Sequence, residues 1–108
     1  MLKKNSLPQI LKQLKAELSR LYGARLNQLL LFGSQAREDA TVDSDIDLAV
    51  VLNGRVNPGR EIDRMIDLLT DFNLKFNTLF SVYPVSITNY RRINSPLLLN
   101  LRKEGRPV

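Results

Sequence analysis

The chain has 108 residues, of which 44% are hydrophobic and 25% are charged, a balance typical of one globular domain spanning residues 1–108. It contains no cysteine and no histidine, which excludes disulfide frameworks, thiolate zinc sites and serine–histidine–aspartate catalysis. Any bound metal is therefore expected to be a hard cation with oxygen ligands, such as magnesium. The net charge of +5 fits either a solvated basic surface or attraction for an acidic partner.

The sequence contains no candidate for a membrane-spanning segment or a secretory signal peptide. The apolar residues form no run that approaches the roughly 20 residues needed to span a bilayer. The N-terminus lacks the apolar segment of a secretory signal peptide, so we expect a cytoplasmic protein. Basic residues are not interleaved with aromatic residues that could stack on bases, so we expect no direct binding of nucleic acid.

The first third of the chain predicts a helix followed by a strand. Apolar residues at helical spacing indicate a helix that is capped near Ser6 and ends at Gly23. A continuous apolar run then predicts a buried strand over residues 28–32. Gly33 ends this strand, and the polar residues 34–44 predict a turn.

Strand and helix patterns alternate through the rest of the chain. The predicted elements are a strand over residues 45–52, a helix over 60–72, a strand over 78–85 and helices over 87–92 and 96–104. Pro84 predicts that the third strand lies at the edge of its sheet or ends in a bulge. The main order, α-β-β-α-β-α, predicts an α/β fold, a small mixed α+β sheet with helices packed on one face.

Asp45 and Asp47 are separated by one residue at the start of the second predicted strand. Residues i and i+2 of a strand share a face, so both carboxylates point the same way, about 7 Å apart along the strand. Such a pair suits a divalent cation bound to nucleotide phosphates. Taken alone, the pair also fits a solvated strand end, and Ser44 with Asp45 fits an Asx-type turn.

Gly33 and Ser34 follow the first predicted strand, ten residues before the acid pair. Glycine has no side chain, so its backbone can approach a triphosphate closely, while Ser34 offers an amide and a hydroxyl to a phosphate. Alone, such a pair after a strand is usually only a turn. Arg37 has two interpretations, contact with a phosphate or an ion pair with Asp39 or Asp43.

These motifs, read together, resemble the signature of the DNA polymerase β superfamily of nucleotidyltransferases. The residues that carry it are Phe32-Gly33-Ser34-Gln35-Ala36-Arg37 and Ser44-Asp45-Ile46-Asp47-Leu48. Over nearly its whole length the chain looks like the minimal nucleotidyltransferases, small proteins often encoded beside a HEPN-domain partner. The resemblance implies that Gly33 and Ser34 bind the triphosphate of ATP and that Asp45 and Asp47 bind Mg²⁺. The candidate catalytic residues are thus Asp45, Asp47 and Ser34, and the candidate nucleotide-binding residues are Gly33, Ser34 and Arg37.

The resemblance also implies an activity and a partner. Some members of the family are antitoxins that transfer AMP from ATP to a tyrosine of a HEPN ribonuclease toxin. We therefore expect a magnesium-dependent nucleotidyltransferase with a HEPN toxin as its acceptor and as its partner in a hetero-oligomer. Transfer to a small molecule is the less favoured alternative, because related enzymes of that kind usually carry an additional helical domain for which this chain has no room.

The chain departs from the family pattern at two positions. Glu38 stands where the family commonly has glycine, and Ser81 stands where the superfamily usually has a third carboxylate. Glu38 or Asp43 could substitute for that acid. The missing acid motivates a second hypothesis, an antitoxin with weakened catalysis that neutralises its partner by binding alone. The leucines of the last helix favour the core over such an interface; they are Leu97, Leu98, Leu99 and Leu101.

Overall fold

The computed structural model describes residues 6–33 and 45–108. Its helices and strands are α1 (Ser6–Tyr22), β1 (Leu26–Phe32), β2 (Ile46–Leu52), α2 (Pro58–Phe76), β3 (Phe80–Ser86), α3 (Ile87–Arg92), α4 (Pro96–Glu104) and β4 (Arg106–Pro107). A 3₁₀ turn over Gly23–Arg25 joins α1 to β1. The turn predicted over residues 34–44 lies outside the described residues.

The four strands form one mixed sheet in the order β3-β2-β1-β4. Strands β2 and β3 are parallel, whereas β1 is antiparallel to both β2 and β4. The predicted mixed α/β fold is confirmed, and β3, which contains Pro84, lies at an edge of the sheet as predicted. The short strand β4 was not predicted. It pairs Arg106 with Leu31 and Pro107 with Leu30.

Side-chain caps fix where the later helices begin. The side chain of Asn57 accepts a hydrogen bond from the backbone N–H of Arg60 at 3.3 Å, and Pro58 occupies the first turn of α2. This helix ends at Asn77, whose φ of 49° is left-handed, a conformation that asparagine tolerates well. The helix is therefore longer at both ends than the apolar pattern of residues 60–72 predicts.

Helices cover both faces of the sheet, so the prediction that they pack on one face is wrong. Alternate residues of β2 are buried on opposite sides, because this strand is apolar on both faces after Asp47. One cluster joins α1 and α2 to the sheet; its fully buried members include Ile10, Leu14, Leu18, Leu29, Leu48, Val50, Leu52 and Met65. The second cluster lies under α3 and α4 and contains Leu30, Ala49, Val51, Val85, Leu98 and Leu101.

The leucines of α4 divide between core and surface. Leu98 and Leu101 are buried in the second cluster, as predicted, whereas Leu97 and Leu99 are 38% and 47% exposed. Among the described helices, none combines the length and the apolar character that crossing a bilayer requires.

A buried charged network lies at the end of the sheet where β1 begins. Glu61 of α2 is 3% exposed, and its carboxylate accepts hydrogen bonds from the hydroxyl of Tyr22 at 2.9 Å and from the guanidinium of Arg25 at 3.1 Å. Burial alone raises the pKa of Glu61, but the bonds from Tyr22 and Arg25 and the nearby arginine charges outweigh it and hold that pKa below its ordinary value. The network ties the end of α1 to the first turn of α2.

Candidate active site

Asp47 lies at the opposite end of the sheet from the Glu61 network. Its strand, β2, lies between β1 and β3. Asp47 pairs in register with Phe32 of β1 and with Ser81 of β3. The side chain of Asp47 is half-buried, and Asp45, which directly precedes β2, is exposed. By alternation along β2, Asp47 lies on the face of Ala49, the face covered further along by α3 and α4.

Gly33 brings the end of β1 against Asp47. Its φ of +71° is left-handed, which strongly favours glycine. A β-carbon at this position would collide with the carboxylate oxygen of Asp47 and would lie 3.2 Å from its γ-carbon. Two of the predicted site residues are therefore in contact, and only a residue without a side chain fits between the end of β1 and the acid. Ser34 and Arg37 lie outside the described residues, as do Glu38 and Asp43.

The carboxylates of Asp45 and Asp47 suit a magnesium ion that also binds phosphates. Mg²⁺ in nucleotide sites is usually held by one or two carboxylates, with water and phosphate oxygens completing its coordination. Asp47 in β2 and Asp45, the residue just before β2, are two such oxygen donors. The described residues contain no group of three acidic, histidine or cysteine side chains arranged to hold a metal. Asp45 and Asp47 fit a metal that completes its coordination with water and phosphate oxygens.

Ser81 occupies the strand position beside Asp47 at the exposed edge of the sheet. Strand β3 contains no aspartate or glutamate, so it supplies no third carboxylate beside Asp45 and Asp47. Two residues further along the same face lies Tyr83, half-buried against the second cluster. Sequence analysis did not single out Tyr83; its i+2 spacing from Ser81 in a strand is the signal that could have identified it.

The chain is similar to known proteins in sequence and in fold. The model of the nucleotidyltransferase domain family matches residues 11–106 of the chain. Two relatives from Methanocaldococcus jannaschii carry the provisional name protein adenylyltransferase. One is 34% identical over 97 residues, which cover 89% of this chain and 91% of the relative. The other is 29% identical over 73 residues, which cover 68% of this chain and 73% of the relative.

Solved structures share the fold at lower identity. A toxin–antitoxin crystal structure with AMP-PNP has a TM-score of 0.61 and 19% identity, covering 89% of this chain and 70% of that one. A crystal structure of a mutant MntA-HpeT toxin–antitoxin has a TM-score of 0.58 and 17% identity over the same shares of the two chains. A provisionally named nucleotidyltransferase from Sulfolobus solfataricus has a TM-score of 0.57 and 21% identity, covering 92% and 76%. With a family match over most of its length, the chain belongs to the nucleotidyltransferase domain family and is a nucleotidyltransferase.

Proposed function

We propose that the chain transfers AMP from ATP to a tyrosine of a HEPN ribonuclease toxin, depends on Mg²⁺ for this transfer, and thereby acts as the toxin's antitoxin in the cytoplasm. The protein acceptor is supported by the names of the two Methanocaldococcus jannaschii relatives. ATP and a toxin partner are supported by the toxin–antitoxin structures of the same fold, one of which holds AMP-PNP. The HEPN class and the tyrosine follow from the resemblance to the minimal nucleotidyltransferases.

The contact between Gly33 and Asp47 is the observation that carries this proposal. Because Gly33 has no side chain, a triphosphate can approach the backbone N–H groups of the turn without losing contact with the aspartates. Asp45 and Asp47 would hold Mg²⁺, which when bound supplies positive charge beside the phosphates. The side chain of Ser34, next in the chain, would orient one phosphate through its hydroxyl.

A direct assay tests the proposal. The purified chain is mixed with ATP, Mg²⁺ and the HEPN protein encoded beside it, and the intact mass of the HEPN protein is measured. We expect the mass to increase by one or more AMP units and to stay unchanged when EDTA replaces Mg²⁺. An unchanged mass at saturating ATP and Mg²⁺ would contradict the assigned acceptor, whereas an equal increase in EDTA would contradict the metal.

A second candidate function is neutralisation by binding alone, and the pairing of Ser81 with Asp47 favours it. With a hydroxyl in place of a carboxylate beside Asp47, β3 offers no strong base for the acceptor's proton. Co-expression with the toxin separates the two candidates. The double variant Asp45→Asn, Asp47→Asn should fail to protect cells if transfer is required, and should protect them fully if occlusion is sufficient.

A further inference from the structure

Tyr83 lies next to the candidate active site on the same face of the sheet. It follows Ser81 by two residues in β3, so the two side chains share a face and their α-carbons are about 7 Å apart. Its register partner is Ala49, which follows Asp47 by two residues in β2. Strands are about 4.8 Å apart, so the α-carbon of Tyr83 is roughly 8 Å from that of Asp47 across the diagonal.

Tyr83 is the tyrosine that lies in the strand beside Asp47. The chain has three tyrosines. Tyr22 is 7% exposed, and its hydroxyl is bound to Glu61. Tyr90 lies on α3, beyond the end of β3. Tyr83 has a ring held against the second cluster, and no hydrogen-bond partner of its hydroxyl lies within the described part of the chain. A phenol is the class of nucleophile that the proposed transfer to tyrosine uses.

We propose that Tyr83 is a self-modification site, which receives AMP from ATP bound at Gly33, Asp45 and Asp47 of the same chain. This inference rests on the proposed function, because it assumes an ATP-dependent transfer to tyrosine. In the step, the phenol oxygen of Tyr83 forms a bond to the α-phosphorus of ATP. The bond between that phosphorus and the bridging oxygen of the β-phosphate breaks, pyrophosphate leaves, and the phenolic proton passes to water.

The experiment uses the whole chain with Mg²⁺ and ATP labelled on the α-phosphate, without any partner. We expect one labelled AMP per chain, located on Tyr83 by fragmentation of the peptide that also contains Ser81. Tyr83→Phe should lose the label, while the matched variant Tyr90→Phe should keep it. Because donor and acceptor are in one chain, the labelling rate per molecule should not change when the protein is diluted tenfold.

Several results would overturn the inference. They are label on Ser81 or Tyr90, full labelling of Tyr83→Phe, or a rate per molecule that rises with protein concentration. A parallel reaction with the HEPN protein separates this inference from the proposed function. Label on the HEPN protein but not on the chain would reject self-modification and keep the proposed function. Label on Tyr83 but not on the HEPN protein would support self-modification and reject the proposed acceptor.

Discussion

Ser81 lies directly beside Asp47, because the parallel strands β2 and β3 pair these two residues in register. Neighbouring strands are about 4.8 Å apart, so a side chain at position 81 can act on the same substrate atoms as Asp47. Ser81 is exposed, so a longer or charged side chain meets no packing barrier there. We therefore expect a single substitution at position 81 to change the rate of AMP transfer.

Ser81→Asp should increase the rate of AMP transfer. A carboxylate beside Asp47 can accept the proton of the attacking hydroxyl, and general bases contribute about 100-fold or more in favourable sites. Since an engineered base is seldom ideally placed, we expect an increase of about tenfold in kcat. The measurement is the initial rate of AMP incorporation into the HEPN protein at saturating ATP and Mg²⁺.

The matched control is Ser81→Asn, which has nearly the size of aspartate but carries no charge and no basic oxygen. It should give no increase. If both variants are equally fast, the gain comes from shape rather than from proton transfer. If Ser81→Asp is no faster than the wild type, the acceptor's own surroundings supply the base.

Asp45→Asn and Asp47→Asn should each reduce AMP transfer by about 100-fold or more, the equivalent of about 3 kcal/mol of transition-state stabilisation. Each change removes a negatively charged oxygen that the proposed magnesium site would need, while the side-chain volume is nearly unchanged. The rate is measured over a range of Mg²⁺ concentrations. Asp63→Asn, on the exposed surface of α2, is the control with the same chemical change and should keep full activity. Full activity of either site variant would refute the metal assignment.

Gly33→Ala should weaken ATP binding as well as stability. The left-handed φ costs a residue with a β-carbon about 1–2 kcal/mol, and the new methyl group also collides with the carboxylate of Asp47. Displacing that carboxylate should reduce the affinity for ATP about tenfold or more. The free energy of unfolding is measured with urea, and the affinity for ATP by calorimetry.

Gly54→Ala separates the two effects. Gly54 also has a left-handed φ, +82°, but a β-carbon there would meet nothing within 4 Å. This variant should therefore lose about 1–2 kcal/mol of stability and bind ATP like the wild type. If Gly33→Ala binds ATP as well as Gly54→Ala does, the close contact with Asp47 is not needed for the nucleotide.

Local sequence signals predicted most of the elements, because periodicity and caps act over a few residues. The hydroxyl of Ser95, for example, accepts a hydrogen bond from the N–H of Leu98, and α4 begins at Pro96, where the helix over residues 96–104 was predicted to begin. Strand β4 escaped prediction because a two-residue strand, Arg106–Pro107, has no period of its own and forms by pairing with β1. The face of the sheet that a helix covers also depends on how the chain connects the elements in three dimensions. The placement of α3 and α4 therefore could not be derived from their own residues.

The candidate site was predictable to the extent that it is contained in one strand and one turn. The two-residue spacing of Asp45 and Asp47 at the start of β2 is visible in the sequence. The contact of Gly33 with Asp47 and the pairing of Ser81 with Asp47 depend on how three strands align. The family resemblance assigned Gly33 and Asp47 to one nucleotide site and placed Ser81 at the position of the third carboxylate, but the contact and the pairing themselves were not predicted. The Glu61 network was not predicted, because a glutamate near a helix start ordinarily indicates a solvated first turn.

Glu61→Gln should destabilise the fold by about 2 kcal/mol, since hydrogen bonds to a charged group contribute about 1.5–3 kcal/mol. Because the pKa of Glu61 is lowered in the folded state, its contribution is present above the ordinary carboxyl value of 4.5 and is lost as the pH falls through the folded value. The difference between wild type and variant should therefore be largest near neutral pH and shrink below about pH 4. The difference in the free energy of unfolding is measured with urea at several pH values.

Glu17→Gln is the control for this last prediction, because Glu17 forms an ion pair with Arg20 at 2.8 Å that is largely exposed to solvent. Its loss should change the free energy of unfolding by no more than about 0.5 kcal/mol. The Glu61 network lies at the far end of β1 from Asp47, so folded Glu61→Gln should keep its rate of AMP transfer. A pH-independent difference between Glu61→Gln and wild type would mean that the carboxylate stabilises the fold through its shape rather than through its charge.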